Sequence, residues 1–198
     1  MNETNIERDM TQLKIKYYKD PFALEHASES IRDNRDIVTL VVTRCGRLLQ
    51  YASDRLRDDK EVVMIAIGDA PYALQYASDR LRNDIEVVMC AIARQGSALQ
   101  YASEELRDNP EIVRVALATN GCMLQYASDR LRDDPHMVWL AVYHVVDALE
   151  YASNELRNDI ELVAFAVAVD GGALEHASDE LRKHPALLAL ATHTSGAT

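Results

Sequence analysis

The sequence predicts an all-α fold, an α-solenoid of seven 25-residue two-helix repeats behind an N-terminal capping helix. Three observations predict it. The strings LEHASESIR, LQYASDRLR, LQYASDRLR, LQYASEELR, LQYASDRLR, LEYASNELR and LEHASDELR begin at residues 24, 49, 74, 99, 124, 149 and 174, and an unbroken spacing of this kind marks stacked repeats. Within each repeat, apolar residues recur three and four apart, the period of one helix face. Seven Gly and five Pro among 198 residues are too few turn formers for an all-β chain. The expected layout is a capping helix over residues 1–19, the solenoid over 20–194 and a tail over 195–198.

Each repeat holds two helical patterns. In the third, Leu74, Ala77 and Leu81 predict a first helix from about Tyr72 to Arg82. Val87, Val88, Ala91 and Ile92 predict a second from about Ile85 to Gln95. Asn109-Pro110 and Asp134-Pro135 place a capping side chain before a first-turn proline. Glu61, Glu86, Glu111 and Glu161 occupy first turns, where the helix dipole favours negative charge. Gly46, Gly96, Gly121 and Gly171 follow the second helix, as expected of left-handed C-terminal caps.

The two ends differ. Ile6, Met10, Leu13 and Tyr17 form one apolar stripe among charged residues, the pattern of a cap that covers the stack on one side. The last helix, ALLALAT from Ala186 to Thr192, has almost no polar face, and the sequence suggests no cap beyond it. An open end predicts self-association through the C-terminal helix or continuation of the natural chain.

Charge and cysteine usage narrow the partners. With 21 basic and 32 acidic residues, the net charge of −11 disfavours nucleic acid and anionic membrane. Cys45, Cys90 and Cys122 lack paired or metal-ligand spacing, and MNETNIERDM is unlike a leader, so a reducing cytoplasm is expected. The longest apolar run, Leu162 to Val169, is far shorter than a membrane span.

The unit ALxYASxxLRxDxEVVxxAVxxxG resembles the repeat family known as domain of unknown function 4116. Leu74, Tyr76, Ala77, Ser78, Leu81, Arg82, Glu86, Val88 and Ala91 carry the resemblance within one repeat, and it extends over about residues 20–194. The family implies no activity or cofactor. Some bacterial members resemble secreted effectors, which leaves action inside a host cell open. The pattern is also similar to leucine-rich-variant repeats, which implies short helices stacked in a right-handed superhelix. Val146, where Gly is usual, and Asp147 depart from the pattern, so a differently shaped link is expected there.

Positions constant across copies are expected to hold the stack, and variable ones to specify a ligand. The Leu, Ala, Val and Ile columns are core. The Arg column (Arg32, Arg57, Arg82, Arg107, Arg132, Arg157, Arg182) has a carboxylate three residues earlier in every repeat but the sixth, which has Asn154. That spacing favours a structural ladder of Arg with acids and link carbonyls over a phosphate site. Tyr51, Tyr76, Tyr101, Tyr126 and Tyr151, flanked by His26 and His176, are expected to pack between repeats with their hydroxyls wet.

Two variable columns lie on the second helix, Thr39, Met64, Met89, Arg114, Trp139, Ala164, Ala189 and Thr43, Gly68, Ala93, Ala118, Tyr143, Ala168, His193. Met, Arg, Trp and Tyr are enriched at interface centres. The candidate protein-binding residues are Met64, Met89, Arg114, His136, Trp139, Tyr143 and His144, densest in the fifth repeat. The bland alternative is bulk filling a groove between helices.

No catalytic, metal or cofactor site is expected. His136 and His144, eight apart on one helix, are about 12 Å apart along its axis, too far to share an ion. No phosphate loop or nucleophile motif occurs. The expected function is a non-enzymatic protein-binding scaffold. One alternative is an acidic rod that mimics nucleic acid through Asp58, Asp59, Asp84, Asp108, Asp133, Asp134 and Asp159. Another is an architectural segment of a larger bacterial protein.

Overall fold

A computed structural model describes residues 3–194, with side chains from residue 10 onward. Helices alternate with short links throughout, and no strand occurs among the described residues. The chain forms two compact units, Met1–Ser103 and Glu104–Thr198. The predicted tail, 195–198, lies outside the described residues, as does the side chain of Ile6. Within the capping helix Glu3–Lys19, Tyr17 is buried at 3% exposure, and Met10 and Leu13 are half-buried. The helix is tied to the first repeat by Lys14 Nζ on Asp36 at 2.8 Å and by the Arg44 guanidinium 4.4 Å over the Tyr18 ring.

The repeat is finer than two helices. The long second helix is as expected: Ile85–Arg94 in the third repeat, ten residues, with Val87, Val88, Ala91 and Ile92 fully buried. The predicted continuous first helix is instead broken in two. A 3-10 helix, Pro71–Tyr76, ends at Ala77, whose backbone is extended (φ −67°, ψ 158°). Ser78 then caps a four-residue helix, Asp79–Arg82. The break uses the constant Ser. Its hydroxyl oxygen accepts from the Leu81 amide at 3.3 Å, satisfying a donor that the new helix start would leave orphaned. In the sixth and seventh repeats the short segment is itself 3-10, Leu156–Asn158 and Leu181–Lys183.

Long-helix caps are as the sequence predicts. Asn109 accepts from Glu111 and Ile112 amides at 3.0 and 3.4 Å, and Asp134 from His136 and Met137 at 2.8 and 3.2 Å. The glycines correct the prediction. No residue, Gly included, has positive φ among the described residues, so none is a left-handed cap. Gly46 and Gly121 open the 3-10 helices at a crowded point. A Cβ on Gly46 would lie 2.1 Å from the Ala66 carbonyl oxygen, and one on Gly121 2.1 Å from that of Ala141. These glycines let the start of the 3-10 helix approach the long helix of the same repeat. Val146 does not reshape its link. It opens a 3-10 helix, Val146–Tyr151, as Pro71 opens Pro71–Tyr76; the start needs no positive φ, and the close approach seen at Gly46 and Gly121 is not required of every repeat.

Neighbouring repeats are joined at the break. The Ser78 amide donates to the Arg57 carbonyl at 2.9 Å, and the Ser78 hydroxyl donates to Asp58. Arg80 closes the clasp, with Nε on Asp58 Oδ1 at 3.0 Å and Nη2 on the Asp58 carbonyl at 2.7 Å. Ser53 with Arg55 holds Asp33 in the same way, and Ser128 with Arg130 holds Asp108. Where Asp becomes Asn158, the Arg position becomes Glu180, and the Ser178 hydroxyl still reaches Asn158. Asp133 instead faces the register of Glu155, a like-charged combination, and it is exposed.

The clasp makes folding acid-sensitive. The Ser hydroxyl and then the Arg hold the carboxyls of Asp33, Asp58 and Asp108 below their ordinary value. A carboxylate with a depressed folded-state pKa contributes stability above its unfolded value. That contribution is lost as pH falls through the folded value. The melting temperature should therefore drop below about pH 4. Asp58→Asn should flatten that part of the profile, as thermal denaturation at pH 2.5–5 would show; an unchanged slope would remove the clasp as its cause.

Candidate functional site

The Arg column is structural, in the two ways expected. Arg57, Arg82, Arg132 and Arg182 each pair with the carboxylate three residues earlier on the same short segment. Arg132 and Arg157 also donate Nε to the carbonyls of Tyr151 and His176 in the following repeat, both at 2.7 Å. The Tyr column is half-buried throughout. Burial, and then Glu25 beside Tyr51 and Glu150 beside Tyr151, raise the pKa of these two phenols.

The variable face lies on the long helices, and each compact unit carries part of it. In Met1–Ser103, Met64 and Met89 are half-buried on Lys60–Asp69 and Ile85–Arg94, with Ile65 beside Met64 at 36% exposure. In Glu104–Thr198, Arg114 is exposed on Pro110–Thr119 and paired with Glu111 one turn earlier. The next long helix, Pro135–His144, carries His136, Trp139, Tyr143 and His144, all exposed. The Trp139 ring meets Phe165 of Ile160–Val169 at 5.4 Å between centroids, tilted by 50°. Tyr143 is 73% exposed and meets His144 edge-on at 5.8 Å. Val169 is 62% exposed on the helix that supplies Phe165.

The structure thus gathers four of the predicted residues onto one helix and adds Phe165, which sequence reading missed. The signal was present. Phe165 stands in the column Leu40, Ile65, Cys90, Val115, Leu140, Phe165, Leu190, one residue beyond the variable column, and is its only aromatic. The face is aromatic and apolar, with His136 replacing the acid found at this register in the neighbouring repeats, Glu111 and Glu161. It offers contact area and ring stacking. Among the described residues no group of three His, Cys, Asp or Glu side chains could hold a metal ion. No described helix is long and apolar enough to cross a membrane.

Most carboxylates of the predicted acidic rod are already engaged. Asp58 and Asp108 serve the clasps, and Asp59, Asp84, Asp134 and Asp159 cap long helices. Asp59 and Asp84 are further bound by Arg35 and Lys60 at 2.9 and 2.8 Å.

Short helices joined by repeated clasps, around an apolar core, define an α-solenoid repeat protein. More particularly, the chain belongs to the family described as domain of unknown function (DUF4116). The family profile matches residues 15–57, 34–82, 59–107 and 134–182. The last match runs through Val146 and Asp147, the two residues that depart from the repeat pattern. No curated protein and no solved structure is detectably similar to the chain.

Proposed function

We propose that the chain is a non-enzymatic protein-binding scaffold and that its contact face is the outward side of the long helices, centred on Trp139, Tyr143 and Phe165. One observation carries the reading: a Trp–Phe ring pair beside a Tyr that is 73% exposed. Large aromatic surface left in water is costly, and such clusters mark interaction sites. At the same register the other repeats place Thr, Gly, Ala or His for Tyr143, and Thr, Met, Arg or Ala for Trp139. The excess aromatic surface is local and is not required by the repeat.

The partner is a protein with an apolar patch of its own. The net charge of −11 disfavours nucleic acid and anionic lipid as ligands. The inward commitment of the link carboxylates weighs against mimicry of nucleic acid. The three cysteines are unpaired, which suits the reducing cytoplasm of the producing cell or of a host. In affinity capture from the native cell, the triple variant Arg114→Ala, Trp139→Ala, Tyr143→Ala should lose the protein that the unaltered chain retains, with helicity unchanged. Retention of that protein by the variant would show that another face binds it.

A further inference from the structure

The short-helix side of the repeat bears a second recurring feature. A concavity recurs on the same repeat positions three times with one charge composition, twice in succession in Glu104–Thr198; a larger one at the same register of the first two repeats adds Tyr51 and a third carboxylate, Asp33. In Met1–Ser103 it lies between Arg57 and Arg82, with Asp54, Asp79 and Gln75 around it and Ala77 in its wall, and holds about 390 Å3. In Glu104–Thr198 one lies between Arg107 and Arg132, with Glu104, Asp129 and Gln125, and holds about 330 Å3. The next lies between Arg132 and Arg157, with Asp129 and Glu150, and holds about 250 Å3. These last two share Asp129 and Arg132 in their linings, so they adjoin.

The composition of the three alike concavities is balanced. Each has two Arg and two carboxylates. The balance survives a change of positions. The sixth repeat has Asn154 where the others carry the acid, and Glu150 replaces Gln in the same concavity. A neutral groove of fixed charges does not attract a polyanion. None of the three linings includes an aromatic ring, the usual platform for a base.

From this geometry we infer that the groove binds an extended polypeptide through its main chain, about three residues per repeat. A guanidinium has five N–H donors, and its ion pair uses one or two, which leaves donors for peptide carbonyls. The paired carboxylates Asp54, Asp79 and Asp129 are at least 93% exposed, so they can accept from peptide N–H groups. Gln75 and Gln125 anchor Nε2 on the carbonyls of Tyr72 and Cys122, both at 3.1 Å, and so hold their carboxamides at the groove. Ala77, Ala127 and Ala152 give the wall no bulk. The period also fits. Packed helices lie about 8–10 Å apart, and three residues of extended chain advance about 9–10 Å. Equivalent main-chain groups then meet equivalent side chains at successive repeats.

The test uses the full chain labelled with 15N and blocked, uncharged peptides of one or two Pro-Ser-Gln triplets. The hexapeptide should shift the side-chain amide signals of Gln75 and Gln125 and the Arg132 Nε–H in a saturable way, leaving the Trp139 indole N–H in place. It should bind roughly fivefold or more tightly than the tripeptide, because it reaches both adjoining concavities. Replacing Gln125 by Ala should weaken it roughly tenfold without loss of helicity. Four results would overturn the inference: no shift at millimolar hexapeptide, equal affinity of the two peptides, shifts confined to Trp139, or the same shifts with a neutral or sulfated hexasaccharide. The aromatic face is read separately, from the Trp139 signal, so its failure and that of the groove are distinguishable.

Discussion

Gly121→Ala should destabilise the chain by about 1–3 kcal/mol or more, a fall in melting temperature of roughly 3–10 °C. The cause is a contact with backbone. The added Cβ would lie 2.1 Å from the Ala141 carbonyl oxygen and 3.2 Å from the Val145 amide nitrogen, both fixed by the long helix they belong to. Relief requires that the 3-10 helix and the long helix of this repeat separate, which weakens their packing. Gly46→Ala should behave alike, against Ala66. Gly68→Ala has the opposite sign. Nothing lies within 4 Å of its Cβ position, and it sits inside the helix Lys60–Asp69. That substitution should stabilise by about 0.5–1 kcal/mol, because Ala loses less backbone entropy in a helix. Thermal unfolding of the variants checks all three, and a neutral Gly121→Ala would show that no close approach exists there.

The second large effect concerns the core and its end. Leu124→Ala should cost about 2–5 kcal/mol, since Leu124 is fully buried and its neighbours can only partly collapse on the cavity. Leu174, at the same register in the last repeat, is only half-buried, whereas Leu24, Leu49, Leu74, Leu99 and Leu149 have no exposure. Leu174→Ala should cost less than about 2 kcal/mol. The difference goes with a last long helix, Pro185–Thr194, on whose outer side nothing packs among the described residues. Leu188 is 45% exposed, while Val38, Val63, Val88, Val113, Val138 and Val163 at its register are at 0%. Urea unfolding followed by circular dichroism measures both costs. Equal losses would mean that the last repeat is packed as firmly as the inner ones, contrary to nearest-neighbour stacking.

The period, the core columns and the long-helix caps were legible in the sequence because each rests on local chemistry. A buried stripe needs its spacing, and a helix start needs Asn or Asp to accept orphan amides. The break at Ala77–Ser78 was not legible in the same way. Leu74, Ala77 and Leu81 are spaced as on one helix face whether or not the chain bends between them. The invariant Ser followed by an acid was the available sign, since Ser favours a cap over a helix interior. The glycines misled for a related reason. A Gly after a helix serves positive φ or close approach equally well, and only the position of the next long helix tells them apart. Phe165 escaped because it follows the variable column by one residue, and the angle that brings it to Trp139 is set by packing between two helices.

In the candidate site, the sequence located the helix but not the assembly. Trp139, Tyr143, His136 and His144 stood out because they break a column of small or acidic residues. The clasps explain why the constant positions are poor candidates for recognition at their acids: Asp33, Asp58 and Asp108 already spend their charge on Ser and Arg of the following repeat. Recognition by the aromatic face is left to positions the stack does not need.

Photo-crosslinking in the native cell tests that division most directly. A photoreactive phenylalanine analogue placed at Tyr143, on the departure from the repeat, should give a discrete adduct with a partner protein. The same analogue at Tyr126, a constant and half-buried position, should give none. Adducts of equal yield from both positions, or from Tyr126 alone, would contradict the account.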